Sequence, residues 1–306
     1  MLFQRTIQKE ASFTGIGLHT GLPFKVILSP LEANSGIKFM VENEIIDNVY
    51  TNAKHTQLAT QLTNNRGKSI LTPEHLLSAI YALGIDNILI NIIPINKNNG
   101  GVYEIPIMDG SASPFVMLLL NECKIKELSA PKKFLKVKKE IIYKKEDKFI
   151  KISPSNGLEI DYTIDFKHPV IGKENLKFKY SLMKYIEDIS KARTFGFLKE
   201  IQYLKSKGLI QGGSLENAIV LDDKKIINEY LRYPDEFVRH KVLDLIGDLS
   251  LSEYFILGKI TGYKTSHSIN NLLLHKIFAS KENYEIIEFT KQIEKEINMQ
   301  YATSII

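Results

Sequence analysis

The sequence predicts an α+β protein built from two similar halves, each pairing a mostly antiparallel sheet with helices. Three observations carry this reading. The stretch Phe24 to Pro30, with Gly36 after it, is echoed by Phe149 to Pro154 with Gly157. The helix signal bearing Glu74-His75 has a counterpart bearing Arg239-His240. At 306 residues the chain has room for two ordinary domains. The polar, proline-bearing stretch from Glu127 to Lys132 marks the boundary. The expected division is therefore 1–128, 129–285 and a charge-rich tail, 286–306.

The opening third reads as short strands and turns. Gly15 to Gly21 holds three glycines in seven residues, so its backbone turns tightly or approaches something closely. Phe24 to Ser29 alternates as a strand, and Ile37 to Val41 follows as another after a turn. A helix is predicted from Thr72, with Thr72 as its cap, Pro73 in the first helical position and Gly84 as its stop. Glu74 and His75 then stand at the mouth of that helix. Ile88 to Ile93 reads as a central strand, Asn96 to Gly101 as a surface loop, and Pro114 to Leu120 as an apolar helix. In the second half, Thr194 to Val220 is unusually apolar, with Gly208, Gly212 and Gly213 allowing it to fold back. A strand-helix-strand flap with an apolar inner wall satisfies that pattern, and so does ordinary core packing.

Composition narrows the class. A 44% hydrophobic, 25% charged chain is ordinary for a globular protein with a proper core. The single cysteine, Cys123, excludes an internal disulfide and any cysteine cluster, which fits a reducing compartment; it reads as a small buried hydrophobe. The first residues show no basic region followed by a long apolar run, so no export signal is expected, and no apolar run approaches the ~20 residues that cross a bilayer. The chain is expected to be cytoplasmic. The net charge of +5 is mild, although nine lysines bunch between Lys132 and Lys151. They read as the wet face of strands, or as attraction to an anionic ligand or the inner membrane surface. No recognition motif for nucleic acid accompanies them.

The chemistry centres on Arg239 to Asp248. At about 100° per residue, His240, Asp244 and Asp248 stack along one side of a helix. Val238, Val242, Leu245 and Leu249 form an apolar stripe roughly 130° away, facing a core. A histidine and an aspartate one turn apart grip a cation or form an ion pair; the pattern alone leaves both open. Two histidines and one aspartate would leave a coordination position free, as in catalytic zinc sites, and imidazole with carboxylate also suits ferrous iron. Such a cation lowers the pKa of bound water to roughly 7. His75 and His240 meet if the halves pack helix to helix. Glu74 is then placed to take a proton, His267 to protonate a leaving group or steady an oxyanion, and Asp248 to keep His267 charged. Of the seven histidines, His55, His168 and His275 have no partner pattern and read as surface or packing residues.

Thr72-Pro73-Glu74-His75-Leu76, Glu104 to Ser111, Ser190 to Phe197, Arg239 to Asp248 and Lys264 to Asn271 resemble the UDP-3-O-acyl-N-acetylglucosamine deacetylase family, the zinc amidases of lipid A biosynthesis. The likeness includes Gly15 to Gly21 and runs to about residue 280. It implies two α+β sandwich halves, helices packed between two sheets, and an insert in each half. It implies His75, His240 and Asp244 as zinc ligands and Glu74 as general base. His267 matches the imidazolium that stabilises the oxyanion and protonates the amine, Asp248 its charge partner, and Thr194 a hydroxyl donor to the oxyanion. Phe195 and Lys241 match contacts to the sugar, and Lys264 and Phe166 the uridine diphosphate end. Leu18, Gly213 and Ser214 are further expected substrate contacts, with the apolar insert 195–220 forming a passage for the hydroxyacyl chain. The implied substrate is a UDP-linked acylated amino sugar. Two rivals stay open: a metal amidohydrolase for another acylated sugar, and an inactive sugar-nucleotide or lipid binder. Two departures stand out, a longer 96–102 loop and Ala59, at a position often larger in relatives.

Overall fold

Alternation along Pro23–Pro30 sends Phe24, Val26 and Leu28 to one buried face, as a period of two requires. The computed structural model describes residues 2–55, 59–96 and 101–289. In the first half the strand order is Ala11–Ile16, Pro23–Pro30, Ile88–Pro94, Ile37–Val41, Glu44–Asp47. Each neighbouring pair is antiparallel except Ile37–Val41 with Ile88–Pro94, which is parallel.

The second half repeats this succession: Ile141–Lys145, Lys148–Ser153, Phe255–Tyr263, Leu158–Asp165, Lys173–Lys179. Again only the third and fourth run parallel. Lys133–Val137 pairs antiparallel with Tyr284–Glu288, just as Phe3–Ile7 pairs with Ile125–Pro131. The duplication expected from two short echoes is thus written into strand order and sense.

We propose 1–128 and 129–285 as the two repeats. Position 128 falls inside Ile125–Pro131, and the expected start of the tail at 286 falls inside Tyr284–Glu288. Strand pairing, which composition does not report, sets both. The remainder of the tail, 290–306, and the 97–100 part of the surface loop lie outside the described residues.

Six helices are described: α1 (Glu74–Ala82), α2 (Ser113–Met117), α3 (Leu182–Lys184), α4 (Leu198–Ser206), α5 (Glu236–Leu249) and α6 (His267–Phe278). α1 packs on α5, and α5 and α6 pack on strands of the second sheet, giving helices between two sheets. The apolar stripe of the fifth helix faces the core as expected, and its His240 and Asp244 side is enclosed as well. Arg239 and Lys241 are its only residues that escape full burial, because the helix has neighbours on every side. Gly247 makes the central crossing possible: a Cβ there would lie 2.2 Å from the Glu74 carbonyl oxygen. Gly247→Ala is therefore expected to destabilise the protein by about 1–3 kcal/mol, the usual cost of overpacking, because the atom in the way is backbone. A thermal midpoint equal to wild type would show that the helices have room to part.

The start of α1 also differs from expectation. Thr72 has φ +57°, the helix is preceded by Pro73, and no side chain caps it. The Thr72 hydroxyl donates instead to buried Glu104, at 3.0 Å. Glu104 further accepts from the backbone N–H groups of His19 and Thr20 and from the Thr20 hydroxyl. One carboxylate therefore binds the glycine-rich turn to the mouth of α1. Gly84 ends that helix at φ +66°.

Inserts interrupt both halves. Ala53–His55, Thr60–Thr63, Ser69–Leu71 and Tyr103–Glu104 form a small sheet in the first. In the second, Phe195–Phe197 and Ile219–Leu221 pair in parallel with α4 between them, a strand-helix-strand unit. Lys132 departs from the reading of its cluster as a wet face. It is buried, and its Nζ donates to both Asp86 carboxylate oxygens (2.6 and 2.7 Å) and to the Gly84 carbonyl (3.0 Å). Among the described residues no helix is long and apolar enough to cross a membrane.

Candidate active site

The crossing of α1 and α5 brings His75, the second residue of one, against His240 of the other, their rings 5.0 Å apart at 89°. Asp244, one turn beyond His240, completes a buried group whose ligand atoms all lie within 4.8 Å of one another. The Nε2 atoms of His240 and His75 stand 3.3 and 3.6 Å from Asp244 Oδ1, an atom with no hydrogen-bond partner. A buried acceptor facing two imidazole nitrogens fits a cation, and this N,N,O donor set suits zinc or ferrous iron.

Local chemistry supports ligand-ready forms. His240 Nδ1 donates to the Ala192 carbonyl at 3.0 Å, which leaves Nε2 as the acceptor nitrogen. Burial drives the His240 imidazole down to about 4, so it is neutral at pH 7. Burial would favour a neutral Asp244 carboxyl, but His240 and Lys241 outweigh it and hold that carboxyl well below its usual range. Lys241 Nζ is 2.7 Å from Asp244 Oδ2. Expected at the sugar, it lines the cleft and also holds the aspartate.

Glu74 lies beside this group with one oxygen, Oε2, buried and unpartnered. Burial pushes its carboxyl up to about 7, with His267 and His75 acting in the opposite direction. His267 opens α6 and directs Nε2 at Glu74 Oε1 (3.7 Å) and Asp244 Oδ2 (3.8 Å), while Nδ1 meets Asp248 Oδ2 at 2.9 Å. Burial opposes its charged form; Asp248 and Glu74 prevail and raise it to about 9. Asp248 also accepts from the Thr60 hydroxyl and the Asn270 amide, each at 2.8 Å. A carboxyl with a pKa near neutrality and a charged imidazole therefore stand 3.7 Å apart beside the buried group.

A cleft of about 420 Å³ opens over these residues. Of the expected substrate contacts, Leu18, Phe166, Phe195, Lys241 and Lys264 line it, as does Thr194, the expected hydroxyl donor. Phe195 stands edge-on to Phe166 (5.6 Å) and to Phe237 (5.0 Å), and Lys264 pairs with Asp147 at the rim. Gly213 and Ser214 are not among its lining residues. Gly213 sits against Ile210 and near Leu18, and the Ser214 N–H donates to Asn217.

Sequence reasoning missed His19, a buried lining residue whose Nε2 has no partner and which burial holds below its ordinary value. The glycine-rich turn signalled a close approach without saying to what. Lys148, Thr60, Glu104 and Asn270 were missed as well, because their roles arise from contacts across the fold. His168 is a packing residue, buried, with Nε2 on the Asp222 carbonyl.

The duplicated α+β sandwich and the group of imidazoles and carboxylates at its helix crossing define an enzyme. The family model described as UDP-3-O-acyl N-acetylglycosamine deacetylase matches residues 4–279. Similar proteins bearing the name UDP-3-O-acyl-N-acetylglucosamine deacetylase include one from Nautilia profundicola, 48% identical over 301 residues, covering 98% of this chain and 99% of the relative. Those of Campylobacter jejuni (46% over 302 residues, 98% and 99%) and Shewanella violacea (41% over 314 residues, 100% and 99%) match over the same extent. The chain belongs to the UDP-3-O-acyl N-acetylglycosamine deacetylase family.

Proposed function

We propose that this protein hydrolyses the N-acetyl group of a UDP-3-O-(3-hydroxyacyl)-N-acetylglucosamine, releasing acetate and a free 2-amino group in the cytoplasm, the committed step of lipid A biosynthesis. The observation that carries this reading is the buried His75, His240 and Asp244 group with Glu74 and His267 at its edge. His75, His240 and Asp244 would hold a zinc ion, with ferrous iron the alternative. When bound, the cation supplies Lewis acidity toward water and the amide carbonyl.

The chain's own groups handle the protons and the pose. Glu74 takes a proton from the attacking water, whose oxygen bonds to the acetyl carbon. Thr194 and the His267 imidazolium face the oxyanion that forms. His267 then gives its proton to the nitrogen as the C–N bond breaks, and Asp248 holds its ring in place and charged. Phe195, Phe166 and Lys241 position the sugar and its neighbours, and Lys264 with the exposed cleft rim meets the diphosphate. Leu18, Gly213 and Ser214 belong to the side of the cleft formed with the 195–220 insert, which takes the acyl chain.

The test is acetate release from the complete UDP-acyl-sugar and from analogues lacking the acyl chain or the nucleotide. Both truncations are expected to lose most of kcat/KM. Equal turnover of a truncated analogue would reassign the enzyme to another acylated amino sugar.

A further inference from the structure

We infer that Glu236 is a positioning residue that sets the aim of His240 and Thr194 by holding the peptide between Ala192 and Arg193. Glu236 lies in the first turn of α5, one turn before His240, and is fully buried. A buried carboxylate is costly unless its lone pairs are satisfied, and here four donors satisfy it. Oε1 accepts from the Arg193 backbone N–H and from Arg193 Nε, each at 2.9 Å. Oε2 accepts from Arg193 Nη2 at 3.2 Å and from the Arg232 backbone N–H at 2.5 Å.

The consequence lies on the other side of the same peptide unit. Its N–H goes to Glu236, and its carbonyl, that of Ala192, accepts from His240 Nδ1 at 3.0 Å. Both attachments run to α5, one turn apart, so the segment is stapled to the helix at two points. The carbonyl thereby fixes the proton on Nδ1 of the imidazole and points Nε2 at Asp244. The next residue is Thr194, whose own N–H donates to the Gly110 carbonyl and whose carbonyl accepts from Ile219. Loosening the staple therefore disturbs a ligand's orientation and the threonine's position together. Outer partners of metal-binding imidazoles have this leverage in general.

This inference rests on His240 being a ligand, and the test separates the two ideas. Zn2+ affinity is measured by competition with a chromophoric chelator, alongside kcat and KM, for wild type, Glu236→Gln and Arg193→Lys, each verified as folded by circular dichroism. Gln presents an N–H group where Oε2 now accepts, setting donor against donor. Glu236→Gln is expected to weaken Zn2+ binding about 10- to 100-fold and to lower kcat at least about tenfold, with KM within about twofold. Arg193→Lys keeps the countercharge but not the fork of hydrogen bonds; it is expected to lose affinity severalfold, and it decides the matter if Glu236→Gln does not fold. Wild-type Zn2+ affinity and kcat in the folded variants overturn the inference. A wild-type protein that takes up no Zn2+ overturns instead the reading of His240 as a ligand.

Discussion

Replacing Glu74 with alanine is expected to cut turnover by at least ~100-fold, the scale on which acid-base residues act, and His267→Ala to do the same while the protein stays folded. Each is expected to act on a separate proton. Glu74 has one buried oxygen with no partner, so it is free to accept, and burial has brought its pKa to about 7. His267 is the opposite case, an imidazolium held near 9 by Asp248 and Glu74 against the effect of burial. A base must be deprotonated and an acid protonated, so kcat/KM is expected to rise with pH through about 7 and to fall above about 9. A bound cation adds positive charge beside Glu74 and moves the rising limb lower. Glu74→Ala is expected to lose the acid limb, and His267→Ala the alkaline one. Near-normal deacetylation by either variant would show the proton roles to be misassigned.

Removing the metal is expected to abolish turnover, and one equivalent of Zn2+ to restore it. The reason is electrostatic. Without a cation, Asp244 Oδ1 is a buried acceptor with no hydrogen bond, faced by the Nε2 atoms of His75 and His240. Leaving such a group unsatisfied costs about 1–3 kcal/mol, so the loaded protein is also expected to melt at a higher temperature. Chelator treatment followed by activity, metal content and a thermal scan measures all three. Full activity in protein freed of metal would remove the cation from the account.

Much of this was legible in the chain because it is local. The four-residue spacing of His240, Asp244 and Asp248 fixes a helical face whatever surrounds it, and Glu74-His75 declares itself by standing at a helix mouth. The echo of Phe24 to Pro30 in Phe149 to Pro154 was short, yet it signalled a repeat that strand order bears out. Long-range contacts were not legible. Nothing near Thr72 says that its hydroxyl is taken by Glu104, 32 residues on, so a sound capping rule gave the wrong cap. Nothing near Lys132 announces its burial against Asp86. His19 escaped notice because its importance lies in where its turn is tied down. The fifth helix has an apolar stripe and a polar one, but periodicity cannot report that the polar one is enclosed at the floor of a cleft.

The crossing of α1 and α5 has one more consequence. In a symmetric dimer of a single ancestral unit, any side chain given to one helix is given to its twin as well. Two identical mouths would then confront each other with matching charges. Joining the copies end to end lifts that restriction. The front helix keeps one acid and one imidazole, while the rear one gathers an imidazole and two acids and surrenders bulk at Gly247 to let its neighbour in. Two helices that differ in sequence within one chain need not present matching charges to each other, and that freedom lets unlike sets of acids and imidazoles meet at this crossing.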